Sequence, residues 1–394
     1  SYIAFTLIFT EWRLKFRREM NDRDTEANTK AVDSLLNYET VKYFGNENHE
    51  AECYDSSMQA YERAAVRSIV SLAAVNIGQG GVIASGLVIL MIMAGHGVTT
   101  GAMTIGDFVL VNTYLIQLYL PLNFLGFVYR QIRQSLTDME VAAAAAKAGA
   151  KAIHAGFGHP QQVELKGPVD LVTETDRATE AIVIEVLERE RPQDGIRAEE
   201  GTERSGSRTW VVDPIDGTTN FVHAVPHCCS TLALLDEGKI TAGATANPFT
   251  GELFLAARGE GAWLESGGLR RRLSVSRNTE FVKGMFVTGF PYDRDGPGYQ
   301  QIASTWDKLS CISRATRRTG SGALDIAYVA AGRYDGYVVS GAKVWDIAAG
   351  IVMVVEAGGC ISDLTGGIWD ADSDGCIASN GMLHDALLEL VLEG

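Results

Sequence analysis

No phosphate-binding loop of the form G-x-x-x-x-G-K-[ST] occurs in the 394 residues, so nothing in the chain can cradle and hydrolyse ATP. Basic charge is also scarce. Lys and Arg number 34 against 49 Asp and Glu, and the net charge of −15 excludes the basic face of a nucleic-acid binder. The six cysteines, at 53, 228, 229, 311, 360 and 376, include no C-x-x-C pair. They read as reduced thiols in a cytosolic setting. No signal peptide opens the chain: the apolar run Tyr2 to Thr10 has neither an initiating Met nor a basic flank ahead of it, and reads as cut from something longer.

Charge is missing altogether from two stretches. Ser68 to Gly95 exceeds the roughly 20 apolar residues that a membrane-spanning helix needs, and Phe108 to Tyr129 forms a second run, with Pro121 as the expected kink. Their connection, His96 to Asp107, has no Lys or Arg. Arg13, Lys15, Arg17, Arg18, Arg130 and Arg133 flank the pair, which predicts a hairpin with both ends cytoplasmic. Asn76, Gly78, Gly80 and Gly81 keep open the alternative of buried helices in a soluble bundle.

Glu11-Trp12-Arg13, Ala27 to Glu47 and Met103 to Ile132 resemble an ABC exporter of the mitochondrial Atm1 type. That resemblance implies part of an all-α transmembrane domain, with Asn76 and Gln79 at positions facing a glutathione conjugate. Without a phosphate loop and without the first membrane helices, two spans cannot transport anything unaided. Residues 1–139 therefore read as a membrane hairpin that meets the lipid bilayer through 68–129, or as a truncation relic that leaves the protein cytoplasmic.

After Glu140 the composition changes. Val141 to Phe157 is alanine-rich and free of proline, a strong helix former. An amphipathic helix follows to about Arg191, ended by Pro192 and Gly195, and short apolar runs then alternate with Gly-rich turns as in a mixed α/β domain. Its chemistry centres on WVVDPIDGTTNF, Trp210 to Phe221. Asp213 and Asp216 share a strand-to-turn corner, where two carboxylates repel unless a cation neutralises them. Hard divalent ions such as Mg²⁺ take oxygen ligands of this kind. Two further acidic sites are Glu199-Glu200 and Asp346, which begins a helix; an isolated Asp there is ordinarily an N-cap.

DPIDGTTNF, WDIAAGIVMVVEAGG, DLVTETD and AEEG are similar, in order and spacing, to the motifs of the inositol-monophosphatase family, over residues 140–394. The resemblance implies a layered αβαβα sugar-phosphatase fold and an Mg²⁺-dependent phosphomonoesterase acting on inositol monophosphate or a related polyol or sugar phosphate. It implies a homodimer through the catalytic domain and sensitivity to lithium. Glu199, Asp213 and the Ile215 carbonyl would hold a first magnesium, Asp213, Asp216 and Asp346 a second, and a third would lean on Glu199. Asp176, Thr218 and Glu199 would be catalytic, with Thr218 relaying a proton while bonded to Asp176. Gly217 and Thr218 would grip phosphate, and Gly320, Ser321 and Gly322 would approach the polyol. Many members carry a Glu where this chain has Val339, so discrimination among polyols is expected to weaken. His223, His227, Cys228 and Cys229 read as bystanders. The rival function is a membrane-transport component of exporter type, for glutathione conjugates or heavy metals, with its machinery incomplete.

Overall fold

A computed structural model describes residues 9, 12–13, 15–16, 19–20, 23, 30, 38–159, 163–165 and 171–393. Glu11, most of the exporter-like stretch before Tyr38, and 166–170 of the predicted loop lie outside them. The chain divides into two compact units, Ser1–Arg130 and Gln131–Gly394.

In the first unit a short helix α1 (Tyr38–Phe44) precedes the long helix α2 (Glu47–Thr99). Its end is closed by Ala102 and Met103, whose N–H groups donate to the Gly97 carbonyl at 2.9 and 3.0 Å. Helix α3 (Ile105–Gly156) starts at once after this turn. The predicted loop from His96 to Asp107 is thus far shorter than expected. Helix α3 also continues past Pro121 into the alanine-rich run. Proline removes one hydrogen bond, at about 3 kcal/mol or more, and helix formers on both sides carry the helix on. The segment His49–Thr99 is long and apolar enough to cross a membrane. Ile77 is 75% exposed and Ile92 66%, so no core formed by the described residues buries these side chains.

The second unit continues from α3 through β1 (Val163–Leu165), β2 (Leu171–Thr173) and α4 (Glu174–Glu190). An eight-stranded sheet follows, built from β3 (Gly195–Ala198), β4 (Glu203–Arg204), β5 (Arg208–Asp216), β6 (Cys229–Asp236), β7 (Lys239–Asn247), β8 (Glu252–Ala257), β9 (Gly261–Ser266) and β10 (Leu269–Arg272), with a short helix α5 (Thr218–Val222) between β5 and β6. Its spatial order is β10-β9-β8-β7-β6-β5-β3-β4. The edge strand β10 carries Arg270 to Arg272; its residues are exposed, and charge on an edge discourages pairing with another chain.

Then come β11 (Met285–Gly289), α6 (Pro297–Ile312), β12 (Ala315–Arg317), α7 (Gly322–Ala330), β13 (Gly336–Ser340), α8 (Val344–Glu356), β14 (Cys360–Ser362), β15 (Gly375–Ser379) and α9 (His384–Leu392). The five strands among them form a second sheet, ordered β12-β11-β13-β15-β14.

Strand alternation sorts the side chains into layers. Trp210, Val212, Leu232 and Leu234 face Ala142, Ala145, Val183 and Leu187 of α3 and α4. Val211, Cys229 and Ala233, one residue out of phase, join α7 and α8 together with Tyr337, Val339 and Cys376 of the second sheet. Val338 and Ile377 turn outward to Ile302, Leu309 and Leu387 of α6 and α9. The result is αβαβα, as expected. Full burial of each large apolar side chain contributes roughly 1.5–3 kcal/mol before chain entropy is counted. Helix α8 lies so close to β7 that a Cβ on Gly243 would stand 2.8 Å from the Ala349 Cα.

Candidate active site

Strand β5 runs on past Asp213 to Asp216, and a bulge between the two shifts its pairing with β6. Asp213 lies opposite Thr231 and Asp216 opposite Cys229. Three residues on one strand are thus matched by two on the other. The extra residue cancels the alternation that would send positions i and i+3 to opposite faces. Gly217 then turns the chain at φ +96°. A Cβ there would meet Cys228 Cβ and the His227 carbonyl at 3.1 Å and the Gly320 carbonyl at 3.2 Å, so glycine lets the two loops approach.

Asp213 is 2% exposed, and its Oδ1 accepts no hydrogen bond from the described residues. Burial pushes its carboxyl well above the usual range, and the charges of Glu199, Asp216 and Asp346 push it further. Asp216 is pushed up to about 6 by burial, against hydrogen bonds from Ser321, Ala323 and Gly322. The Ser321 hydroxyl donates to Asp216 Oδ2, as does the Ala323 N–H at 2.9 Å, and the Gly322 N–H donates to Oδ1 at 3.2 Å. Burial also raises Asp346, followed by the charge of Asp216, while the Lys343 N–H, donating at 2.8 Å, opposes the rise. Asp346 is thus not the N-cap of α8, which is Lys343, but the third residue of the helix, and its carboxylate closes the first turn.

Helix α4 supplies the next wall. Asp176 is buried and accepts the Thr173 N–H at 2.8 Å and the Thr173 hydroxyl at 2.5 Å, which closes the helix start in a capping box. The Thr218 hydroxyl lies 3.1 Å from Asp176 Oδ1 and 3.0 Å from the Ile215 carbonyl, and its single proton can serve either. Burial holds Asp176 above its ordinary value, while Thr173 and Thr218 pull it down. The Glu199 N–H donates to the Val212 carbonyl at 3.1 Å, which sets Glu199 beside β5.

The expected residues are therefore gathered in pairs: Thr218 with Asp176, Glu199 with Asp213, Asp216 with Ser321 and Gly322, and Gly217 with Gly320. Among the described residues no three His, Cys, Asp or Glu side chains close into a ready metal-ligand group. Asp216 and Asp346 accept hydrogen bonds from protein donors. The donor set is nevertheless that of a hard divalent cation, all oxygen, with one buried carboxylate oxygen unmatched.

Two further residues had no role in the sequence reading, and a third gains one. Ser321, expected only to approach the polyol, also donates its hydroxyl to Asp216. The Asn220 side-chain amide ties the two loops by donating to the carbonyls of His227 at 2.7 Å and Thr319 at 2.9 Å; its place inside the Trp210–Phe221 motif was the available signal. Glu180, one turn beyond Asp176 on α4, binds the loop that carries Glu199. Burial lowers His227, leaving it a neutral ring whose Nε2 has no partner among the described residues.

Comparison with known proteins matches residues 133–393 to the inositol monophosphatase family and residues 1–122 to the ABC transporter transmembrane region. An inositol-1-monophosphatase of Synechocystis sp. is 39% identical over 258 residues, covering 64% of this chain and 87% of that protein. The suhB extragenic suppressor protein of Bartonella henselae aligns in structure with a TM-score of 0.61 at 37% identity, over 65% of this chain and 98% of that one. The Thermotoga maritima IMPase gives 0.59 at 33% identity, over 64% and 96%. The first part of the chain is 52% identical over 139 residues to the mitochondrial iron-sulfur clusters transporter ABCB7 of Rattus norvegicus, but spans only 18% of that transporter's length.

Proposed function

The chain belongs to the inositol monophosphatase family and is a phosphatase, and from that premise we propose that residues 140–394 hydrolyse a small polyol or sugar phosphate monoester with magnesium. The observation that carries the metal requirement is the buried, unmatched Oδ1 of Asp213, surrounded by the charges of Glu199, Asp216 and Asp346.

Glu199, Asp213 and the Ile215 carbonyl would hold one ion, and Asp213, Asp216 and Asp346 another. Magnesium, when bound, supplies positive charge to the phosphoryl oxygens and acidity to the attacking water. The Thr218 hydroxyl, placed between Asp176 and the Ile215 carbonyl, would pass a proton towards Asp176, whose raised affinity suits a proton acceptor. Gly217 and Thr218 would hold phosphate through their backbone N–H groups. The Gly320–Gly322 loop, tied to this corner by Asn220, would border the leaving alcohol.

Residues 1–139 we read as a membrane fragment that anchors the phosphatase on the cytoplasmic side. Export activity is not part of this reading, because the exporter-like stretch spans only 18% of the transporter it resembles. Phosphate release from a panel of monoesters, measured after chelation and again after adding MgCl₂, tests the proposal. Release that is unaffected by chelation would overturn the metal requirement.

A further inference from the structure

Glu180 lies outside the expected ligand set and is 4% exposed. Its carboxylate is fully engaged with one short loop. Oε2 accepts the Glu200 N–H at 2.8 Å, and Oε1 accepts the Thr202 hydroxyl at 2.6 Å and the Thr202 N–H at 3.3 Å. The loop is closed on itself by the Ala198 N–H donating to the Thr202 carbonyl at 2.9 Å, and it turns through Gly201 at φ +109°. Glu199 therefore sits between two anchors. On one side its own N–H is fixed to Val212, the residue before Asp213; on the other its neighbour's N–H is fixed to Glu180.

The same helix does two jobs four residues apart. Asp176 fixes Thr218, and Glu180 fixes the loop of Glu199. Positions i and i+4 share one face of a helix, so α4 sets the two pieces of the site in one frame. Burying an anionic carboxylate against three donors is a strong local constraint, since bonds to a charged acceptor are stronger than neutral ones.

We propose that Glu180 is a positioning residue for magnesium binding, acting through Glu199 without touching the ion; this rests on the reading of Glu199 as a metal ligand. In Glu180→Gln one acceptor oxygen becomes an NH₂ donor that faces another N–H. The loop then loses an anchor while the side chain keeps its size.

The test uses the full chain, solubilised, with melting temperature followed against MgCl₂ concentration. Glu180→Gln is expected to melt somewhat below the natural protein in chelator, because a buried N–H loses its acceptor, and, separately, to need about 10- to 100-fold more MgCl₂ for half of its own metal-induced shift, as loss of outer support around metal ligands commonly produces. Thr202→Val, which removes only the hydroxyl donor, is expected to shift the midpoint in the same direction by less, and it carries the test if Glu180→Gln does not fold. Glu188→Gln, whose exposed carboxylate meets Arg204 further along α4, serves as the control and should bind as the natural protein does. Unchanged midpoints in Glu180→Gln and Thr202→Val, with binding lost in Asp213→Asn, would overturn the positioning role and leave the metal reading standing. Unchanged binding in Asp213→Asn would overturn the metal reading itself.

Discussion

Asp213 and Asp216 are three residues apart along β5 but only two apart across the ladder, facing Thr231 and Cys229. That one-residue bulge lets both carboxylates serve a single corner. Without it, alternation would bury one of them in the opposite layer, among Trp210 and Val212.

Asp213→Asn keeps the shape of the corner and removes the charge needed for a cation. Phosphate release with MgCl₂ is expected to fall to background, while the circular dichroism spectrum stays that of the natural protein. Near-normal turnover in a folded variant would refute the assignment of Asp213.

Lithium is expected to inhibit. A small monovalent ion can occupy an oxygen site built for magnesium but brings half the charge to the phosphate. A phosphate-release assay in millimolar LiCl reads this directly, and full activity at high lithium counts against the second ion site at Asp213, Asp216 and Asp346.

Val339 is 5% exposed and packs in the apolar layer with Tyr337 and Cys376, so it offers a polyol no hydrogen-bond acceptor. The natural chain is expected to treat inositol 1-phosphate and glycerol 2-phosphate with similar kcat/KM. Val339→Glu should raise the preference for inositol 1-phosphate by roughly ten- to a hundredfold, the range for a hydrogen bond to a charged group at about 1.5–3 kcal/mol. A strong inositol preference in the natural chain would sink the idea.

Burial pushes the Cys228 thiol up to about 12 and raises Cys229 well above its ordinary value, whereas Cys311 is exposed. Thiols whose titration lies far above assay pH hold almost no thiolate, the reactive form. Iodoacetamide at pH 8 should therefore label Cys311 and spare Cys228 and Cys229, with activity retained. Peptide mapping that finds either buried cysteine alkylated in active protein would contradict this.

The exposed apolar face of α2 is expected to carry the full chain into the membrane fraction on lysis and to resist extraction by carbonate. Recovery in the soluble fraction would instead favour the reading of residues 1–139 as a relic that does not insert.

Local patterning made much of the molecule legible. The charge-free run Ser68–Gly95, the alanine-rich helix after Glu140, and the acids of DPIDGTTNF and WDIAAG were visible because each is written in contiguous residues with its own periodicity or spacing. The helix end near Arg191 followed from Pro192 and Gly195. That one helix runs from the second charge-free stretch into the alanine-rich one was not visible, since the two differ in composition and nothing between Tyr129 and Val141 marks them as continuous.

What only the tertiary structure decided is how distant pieces meet. Ser321 lies 105 positions from Asp216, and no local pattern says that its hydroxyl, rather than its backbone alone, turns to that carboxylate. Glu180 on its helix looks like one more solvated acid until α4 packs on the sheet and buries it beneath the Glu199 loop. The sequence alone determined which groups were available to the proposed chemistry: the carboxylates of Glu199, Asp213, Asp216 and Asp346 and the hydroxyl of Thr218. Folding decided which carboxylates are left without donors. Asp213 is buried with its Oδ1 unmatched, beside the half-buried Asp216 and Asp346, and the negative charge crowded there is what the proposed divalent cation would offset.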